Sequence, residues 1–343
     1  MLRREFVITS ILSLPAFACT PSRRLTASGS KALVIKAGLS RFGIATPFKG
    51  VNPNDLKLST KDTAGKLSAF WYKGAERTGP SYHSHTHQDE MFYVLDGTYV
   101  FQVGDEKATL RKGDLIFLPR NIPHTWVQTS DSGEMFYFLQ PAGKMEEFFL
   151  FMTQGGSKLT KEEKSKANND FGIVNHGPGL SASEKYDIIE SVSKGFIVRN
   201  KNGRFGEKTV LNGKSTNDIK VSGKDTGGEL SIFEYNGKEK GGPPMHIHPN
   251  QDEIFYISSG NYLFQCGQEQ FVLTKGDMIF LPRGVAHTWA QLTDEGQMLF
   301  FFQPCGKMED FFRAISDGSP KPEGYDPFKA HDMSIVGPPL AFS

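Results

Sequence analysis

Residues 83–102 read HSHTHQDEMFYVLDGTYVFQ, and residues 246–265 read HIHPNQDEIFYISSGNYLFQ, 163 positions later. The same offset places 112–126, KGDLIFLPRNIPHTW, over 275–289, KGDMIFLPRGVAHTW. It aligns 31–156 with 194–319 without a gap, and 48 of the 92 aligned positions over 65–156 are identical. This regularity predicts that the chain is an internal duplication of one structural unit.

Each repeat is predicted to be all-β. Short β-branched and aromatic runs recur every 8–12 residues between Gly, Asp or Pro turns, at 90–95, 99–103, 115–118 and 135–139. The spacing favours a jelly-roll barrel of about eight strands per repeat. Short helices are expected after each barrel, at 144–149 and 307–312, and the charged stretch 158–169 is predicted to be a solvated helix or linker. We expect a first domain over 31–180 and a second over 181–343.

Composition limits the partners. The chain has 343 residues, with 39 basic and 38 acidic side chains and no basic block, which argues against a nucleic acid or an anionic membrane as partner. No apolar run reaches the roughly 18 residues that a membrane-spanning helix needs, so no transmembrane helix is predicted. A small molecule is the expected partner, and the chain is expected to be a monomer or a homodimer.

The first 30 residues resemble a protein-targeting signal. Arg3 and Arg4 precede an apolar stretch at 6–18, as in a Tat export signal, and Ala16-x-Ala18 suits a signal peptidase. Cys19 after small residues also resembles a lipoprotein acylation site. We therefore expect an exported protein, either periplasmic or anchored to a membrane through Cys19, with 20–30 as a tether; a frayed helix of a cytoplasmic protein is the alternative.

Six of the nine histidines sit at matched positions of the two repeats: His83, His85 and His124, then His246, His248 and His287. Two imidazoles two residues apart project from one face of a strand, and Glu90 and Glu253 follow five residues later. Three neutral imidazoles and a carboxylate inside an apolar barrel are costly unless a cation compensates them. The pattern predicts one first-row divalent metal site per repeat, two per chain, of Fe, Mn, Co, Ni or Cu.

These residues carry a family resemblance. Gly79-x3-His83-x-His85-x4-Glu90-x6-Gly97 resembles the first cupin motif, and Gly113-x5-Pro119-x-Asn121-x2-His124 the second, with Asn121 where Gly is usual. Residues 242–260 and 276–287 repeat both motifs. The chain is identified as a member of the two-domain cupins (bicupins) and is most similar to quercetin dioxygenases. The resemblance implies two tandem jelly-roll barrels and the eight metal ligands named above.

The resemblance also implies a reaction, the opening of a flavonol-like or other enolic phenolic substrate with O2, in which Glu90 and Glu253 act as ligand and general base. Two alternatives stay open, a metal-dependent isomerase or decarboxylase acting on a small oxo-acid or sugar and a non-catalytic binding protein. Alternation along the strands places Phe92, Trp126, Phe255 and Trp289 on the ligand faces. They are expected either to line a substrate pocket or simply to fill the barrels.

Two further residue pairs and one single histidine have simpler predicted roles. Arg120 and Arg283, in the turn before the last ligand, are expected to form structural ion pairs rather than to bind a substrate carboxylate. Cys266 and Cys305 are predicted to be small buried hydrophobes. His87, whose counterpart is Asn250, is expected at the rim of the site.

Overall fold

The computed structural model describes residues 31–211 and 214–341. The predicted export signal, its tether and Cys19 lie outside the described residues. The two repeats form a β-rich structure with short helices, as the sequence predicts.

The first repeat contributes eleven strands, which follow the apolar runs of the sequence: β1 (Leu33–Ile35), β2 (Asn54–Leu58), β3 (Ser68–Gly74), β4 (Tyr82–His85), β5 (Asp89–Asp96), β6 (Thr98–Val103), β7 (Glu106–Arg111), β8 (Leu115–Leu118), β9 (His124–Gln128), β10 (Gly133–Gln140) and β11 (Ile173–Gly177). The second repeat contributes twelve described strands: β12 (Phe196–Val198), β13 (Val210–Leu211), β14 (Ser215–Val221), β15 (Ser231–Gly237), β16 (Pro244–Ile247), β17 (Asp252–Ser259), β18 (Tyr262–Cys266), β19 (Glu269–Leu273), β20 (Met278–Leu281), β21 (His287–Gln291), β22 (Gly296–Gln303) and β23 (Ser334–Pro339).

Each barrel is built from two antiparallel sheets. In the first barrel the strand orders are β12-β8-β5-β10-β3-β2 and β11-β4-β9-β6-β7. In the second they are β1-β20-β17-β22-β15-β14-β13 and β19-β18-β21-β16-β23. The two sheets of a barrel enclose an apolar interior, and the strands that carry the predicted metal ligands, β4, β5 and β9 or β16, β17 and β21, surround it.

The two repeats exchange their N-terminal strands. β1 of the first repeat pairs with β20 of the second, and β12 of the second pairs with β8 of the first. Asp277 accepts a hydrogen bond from the backbone of Ala37 (2.8 Å), and Asp114 accepts one from the backbone of Asn200 (2.9 Å). These aspartates lie in the matched Lys-Gly-Asp turns. Because each N-terminal strand pairs with the barrel of the other repeat, a domain boundary between 180 and 181 assigns β1 and β12 to domains other than the barrels they belong to. The boundary as a domain division stays a prediction.

The barrels pack on each other through the outer faces of their larger sheets. Phe136 stacks on Tyr256 with ring centroids 4.2 Å apart, and Phe138 meets Phe301 edge-on at 4.8 Å. The core formed there includes residues of both repeats. Burying both faces of strands such as β5 explains why they are apolar at nearly every position rather than at alternate ones.

Short helices follow each barrel, as predicted: α1 (Met145–Thr153), α2 (Lys161–Asp170), α3 (Met308–Ser316) and α4 (Pro327–Ala330). Helix α2 falls on the charged stretch and starts with a capping box, in which Thr160 and Glu163 satisfy each other's backbone amides. Among the described residues, no helix has the length and apolar character required to cross a membrane.

Candidate metal centres

The first centre brings together His83 and His85 on β4, Glu90 on β5 and His124 on β9. Because His83 and His124 are direct cross-strand partners, their imidazoles meet above the same sheet face, with ring centroids 4.7 Å apart. The Glu90 carboxylate lies 3.1 Å from Nε2 of His124 and 3.4 Å from Nε2 of His85. One ligand atom from each of the four residues lies within 4.8 Å of the others.

Backbone carbonyls fix the orientation of two of the imidazoles. Nδ1 of His83 lies 2.8 Å from the carbonyl oxygen of Ser81, and Nδ1 of His124 lies 2.9 Å from that of Ile122. When Nδ1–H donates to a carbonyl, the Nε2 lone pair is left to face a metal. Asn121 has a φ of 65°, and its amide donates to the carbonyl of His85 over 2.7 Å. Asparagine tolerates this left-handed conformation, which explains why it can replace the usual glycine.

The second centre repeats this geometry with His246 and His248 on β16, Glu253 on β17 and His287 on β21. Its four ligand atoms also lie within 4.8 Å of one another. The Glu253 carboxylate is 2.9 Å from Nε2 of His287 and 3.7 Å from Nε2 of His248. Nδ1 of His246 and of His287 again faces a backbone carbonyl, at 2.8 and 2.9 Å.

Burial keeps three of the ligand imidazoles neutral. It lowers the pKa of His83 to about 3, with help from the neighbouring His124 and His85, and lowers the pKa of His246 to about 3, with help from His287. Burial also holds the pKa of His248 well below its ordinary value. Neutral imidazole is the form that binds a metal, so protons do not compete for these nitrogens near neutral pH.

The two carboxylates differ. Burial tends to raise the pKa of Glu90, but His85 and His124 together outweigh it, so the pKa of Glu90 lies below its ordinary value. Burial raises the pKa of Glu253, and its hydrogen bond from His287 offsets this only in part. In agreement with this difference, the Glu253 carboxylate lies 3.7 Å from Nε2 of His248, whereas the Glu90 carboxylate lies 3.4 Å from Nε2 of His85.

Both centres fit a divalent metal ion. Within the described part of the chain, neither ring nitrogen of His85 or of His248 has a hydrogen-bond partner, although both side chains are buried. Such unpaired polar atoms are costly in an apolar interior, and a cation shared with the adjacent carboxylate removes the cost. Three imidazoles and one carboxylate suit a first-row transition metal. The chain therefore holds two metal sites, as predicted.

A cavity opens beside each centre, with a volume of about 1000 Å³ in the first barrel and about 490 Å³ in the second. Phe92 and Trp126 line the first cavity, and Phe255 and Trp289 line the second, on the faces that strand alternation indicated. Their role toward a substrate stays a prediction.

The sequence prediction did not include several lining residues. In the first barrel, Phe48 comes from the segment before β2 and stacks on Trp126 with centroids 5.7 Å apart. Tyr137 lies on β10 and donates a hydrogen bond of 2.6 Å to Asn54. The alternation of β10 could have placed Tyr137 inward, whereas local sequence gives no signal for the placement of Phe48.

The remaining predictions concern residues near the centres. The ion pairs are confirmed, since Arg120 binds Asp89 and Arg283 binds Asp252, each at 2.7 Å. His87 is exposed and lies outside the ligand cluster.

Cys266 and Cys305, the cysteines of the described residues, are free. Cys266 is buried in the second core, where burial raises its pKa to about 11, while Cys305 is only half-buried. The prediction of a buried hydrophobe therefore holds for Cys266 and only in part for Cys305.

Comparison with known proteins identifies the repeated unit. The family model described as "Cupin domain" matches residues 72–139 and 232–303. The chain is 32% identical over 92 residues to Protein SchB of Streptomyces halstedii, covering 24% of this chain and 67% of that protein. It is 30% identical over 54 residues to an uncharacterized protein of Streptomyces coelicolor, covering 16% of this chain and about half (51%) of that protein.

Solved structures share the fold. A tryptophan-to-tyrosine variant of oxalate decarboxylase from Bacillus subtilis superposes with a TM-score of 0.52 at 16% identity, over 83% of this chain and 84% of that one. Protein Ylba from E. coli gives a TM-score of 0.52 at 10% identity, over 79% and 90%. At these identities the likeness concerns the fold.

Proposed function

Because the chain is a bicupin with two metal sites, we propose that it is a metal-dependent dioxygenase that opens an enolic phenolic compound of the flavonol type with O2. The observation that carries this proposal is the wall of the first cavity. Seven aromatic side chains line that wall, and within the described residues no arginine lines either cavity. A planar aromatic ligand is bound well by such a wall.

A small oxo-acid needs a cation facing the metal to pair with its carboxylate. The arginines of the second motif are engaged by Asp89 and Asp252 and are absent from the cavity walls. Lys49 and Lys164 reach the first cavity from the segment before β2 and from helix α2. Lys240 reaches the second from the segment between β15 and β16, so none of these lysines lies on a strand that carries the ligands. This arrangement favours a neutral phenolic ligand over a dianionic one.

A bound metal would supply Lewis-acid activation of neighbouring enol and carbonyl oxygens. The chain's own residues hold the ligand and move its proton. Glu90 and Glu253 lie in the ligand clusters, where a carboxylate oxygen can accept the proton of an enol hydroxyl as the general base. Buried aromatic side chains such as Phe92 and Trp126 hold the rings in plane and exclude water.

Oxygen uptake by metal-reconstituted protein tests the proposal. We expect uptake with flavonols, and none in a His83→Ala/His246→Ala double variant, which lacks one ligand in each centre. A panel of small oxo-acids and sugars serves as the comparison. Release of CO2 from an oxo-acid, or isomerisation of a sugar, without uptake on flavonols would show the alternative enzyme classes instead. Binding without turnover of any compound would show a binding protein.

A further inference from the structure

The two cavities differ in size although the metal ligands match. The first is about 1000 Å³ and the second about 490 Å³. Small-molecule sites span about 300–1,000 Å³, so the two cavities lie toward opposite ends of this range. Since the barrels are so similar in sequence, the difference must lie in a few substitutions within them and in the region after each barrel, where the repeats diverge.

Two phenylalanines fill the second cavity next to its metal ligands. Phe302 on β22 lies 5.2 Å from His248, ring centroid to ring centroid, and its counterpart in the first repeat is the smaller Leu139. Phe328 on α4 lies 5.8 Å from His246 and packs on Phe311 at 5.0 Å. In the first barrel, α2 covers the corresponding side, where it presents Lys164 and Asn168 to the cavity.

The first cavity also has polar groups that lack a protein partner. The hydroxyl of Tyr72 is buried and forms no hydrogen bond with any described residue. Asn54 accepts a hydrogen bond from Tyr137, which leaves its buried Nδ2 without an acceptor in the described chain. Both residues line the cavity. A ligand oxygen is the kind of acceptor that satisfies two such donors.

The second barrel arranges these groups differently. Phe300 replaces Tyr137, so both amide atoms of Asn217, the counterpart of Asn54, are buried without a partner among the described residues, and Asn217 is not part of the cavity wall. Phe300 stacks on Phe255 with centroids 5.5 Å apart, as Tyr137 stacks on Phe92 at 5.1 Å, so the second barrel lacks only the hydroxyl at this position. The wall of the second cavity is thus both closer to the metal ligands and more apolar.

We propose that the two barrels bind phenolic ligands of different size. The first binds a multi-ring polyphenol between its metal and the donors Tyr72 and Asn54, and the second admits only a single-ring ligand because Phe302 and Phe328 occupy the remaining space. This assignment of ligand classes rests on the proposed function for the type of ligand, but it does not require ring opening.

Anaerobic calorimetric titration of the metal-reconstituted protein with quercetin and with catechol tests the assignment. We expect one quercetin and two catechols per chain. The Phe302→Leu/Phe328→Ala double variant is expected to bind two quercetins, and Leu139→Phe is expected to bind none. If Leu139→Phe does not fold, as judged by its thermal transition, the double variant alone decides.

Tyr72→Phe tests the polar contact. Losing one hydrogen bond is expected to weaken quercetin binding by about three- to tenfold. Tyr235→Phe, the matched change in the second barrel, is expected to leave quercetin affinity unchanged. Any of three results would overturn the assignment: equal quercetin binding by both barrels of the wild type, no quercetin binding at all, or equal effects of the two tyrosine variants. Because no O2 is present, quercetin binding without later oxygen uptake would count against the dioxygenase and leave the assignment standing.

Discussion

Lowering the pH of the metal-free protein from about 7.5 to about 5 is expected to reduce its free energy of unfolding, because buried ligand histidines resist protonation. The pKa of His246 is about 3 in the folded chain against an ordinary value of 6.5. The unfolded chain therefore binds this proton first, and stability is lost as the pH falls through 6.5. Each pH unit below 6.5 costs about 1.4 kcal/mol, so His246 costs about 2 kcal/mol at pH 5.

Other groups set the net magnitude. The pKa of His83 is also about 3, so by the same reasoning it costs about 2 kcal/mol at pH 5. Asp218 acts in the opposite sense. Burial raises its pKa to about 6, so the folded chain gains a proton between pH 6 and 3.8 and recovers about 1 kcal/mol by pH 5. These three groups sum to a loss of about 3 kcal/mol. The lowered pKa of His248 adds to the loss, and the raised pKa of Glu253 offsets part of it.

Urea unfolding of chelated protein at the two pH values measures this loss. A His83→Gln/His246→Gln/His248→Gln triple variant, which removes the three ligand histidines whose pKa burial lowers, is expected to lose the decrease in stability at pH 5. A His176→Gln variant, which changes an exposed histidine, is expected to keep it. A free energy of unfolding that stays constant or rises as the pH falls to 5 in the wild type would refute the reasoning.

Three further predictions concern the metals, the glutamates and the N-terminus. Elemental analysis of reconstituted protein is expected to find close to two transition-metal ions per chain, and one or fewer would contradict two complete centres. Glu90→Gln and Glu253→Gln are each expected to keep their metal through three histidines, while turnover at the changed centre falls by about 10²–10⁴-fold, as for loss of a positioned base. If metal and activity are instead lost together and excess metal restores both, the glutamate serves only as a ligand. We propose that the exported protein begins at or near Cys19, which mass spectrometry of native material would test: intact residues 1–18 would exclude export, and a diacylglycerol adduct would establish a lipoprotein.

Sequence patterns predicted the duplication and the ligand sets because both depend on short-range regularity. His83 and His85 share a face through the two-residue period of a strand, and Glu90 enters from the next strand after a short turn. The same period placed Phe92 and Trp126 inward. The spacing of the ligand residues along the chain, repeated in both halves, therefore predicted most of the geometry of each centre.

The exchange of β1 and β12 and the packing of Phe136 on Tyr256 depend on long-range contacts. The matched repeat includes β1 and β12, but identical local sequence does not specify which barrel a strand pairs with. The pairing of β1 and β12 depends on the positions of the Lys-Gly-Asp aspartates in the folded chain and on the packing of the apolar outer faces of the two larger sheets. The continuous apolar run of β5 indicates burial on both faces without identifying the partner surface.

The difference between the two cavities belongs to the tertiary structure as well. Sequence alignment shows that Leu139 corresponds to Phe302, yet it gives no position for Phe328, which lies in the region after the barrel where the repeats diverge. The sequence by itself determined two barrels with two metal-ligand sets, since strand periodicity fixes the face on which each side chain lies. Only the folded chain decided how much space remains beside each metal, because that space depends on which distant helix covers the barrel.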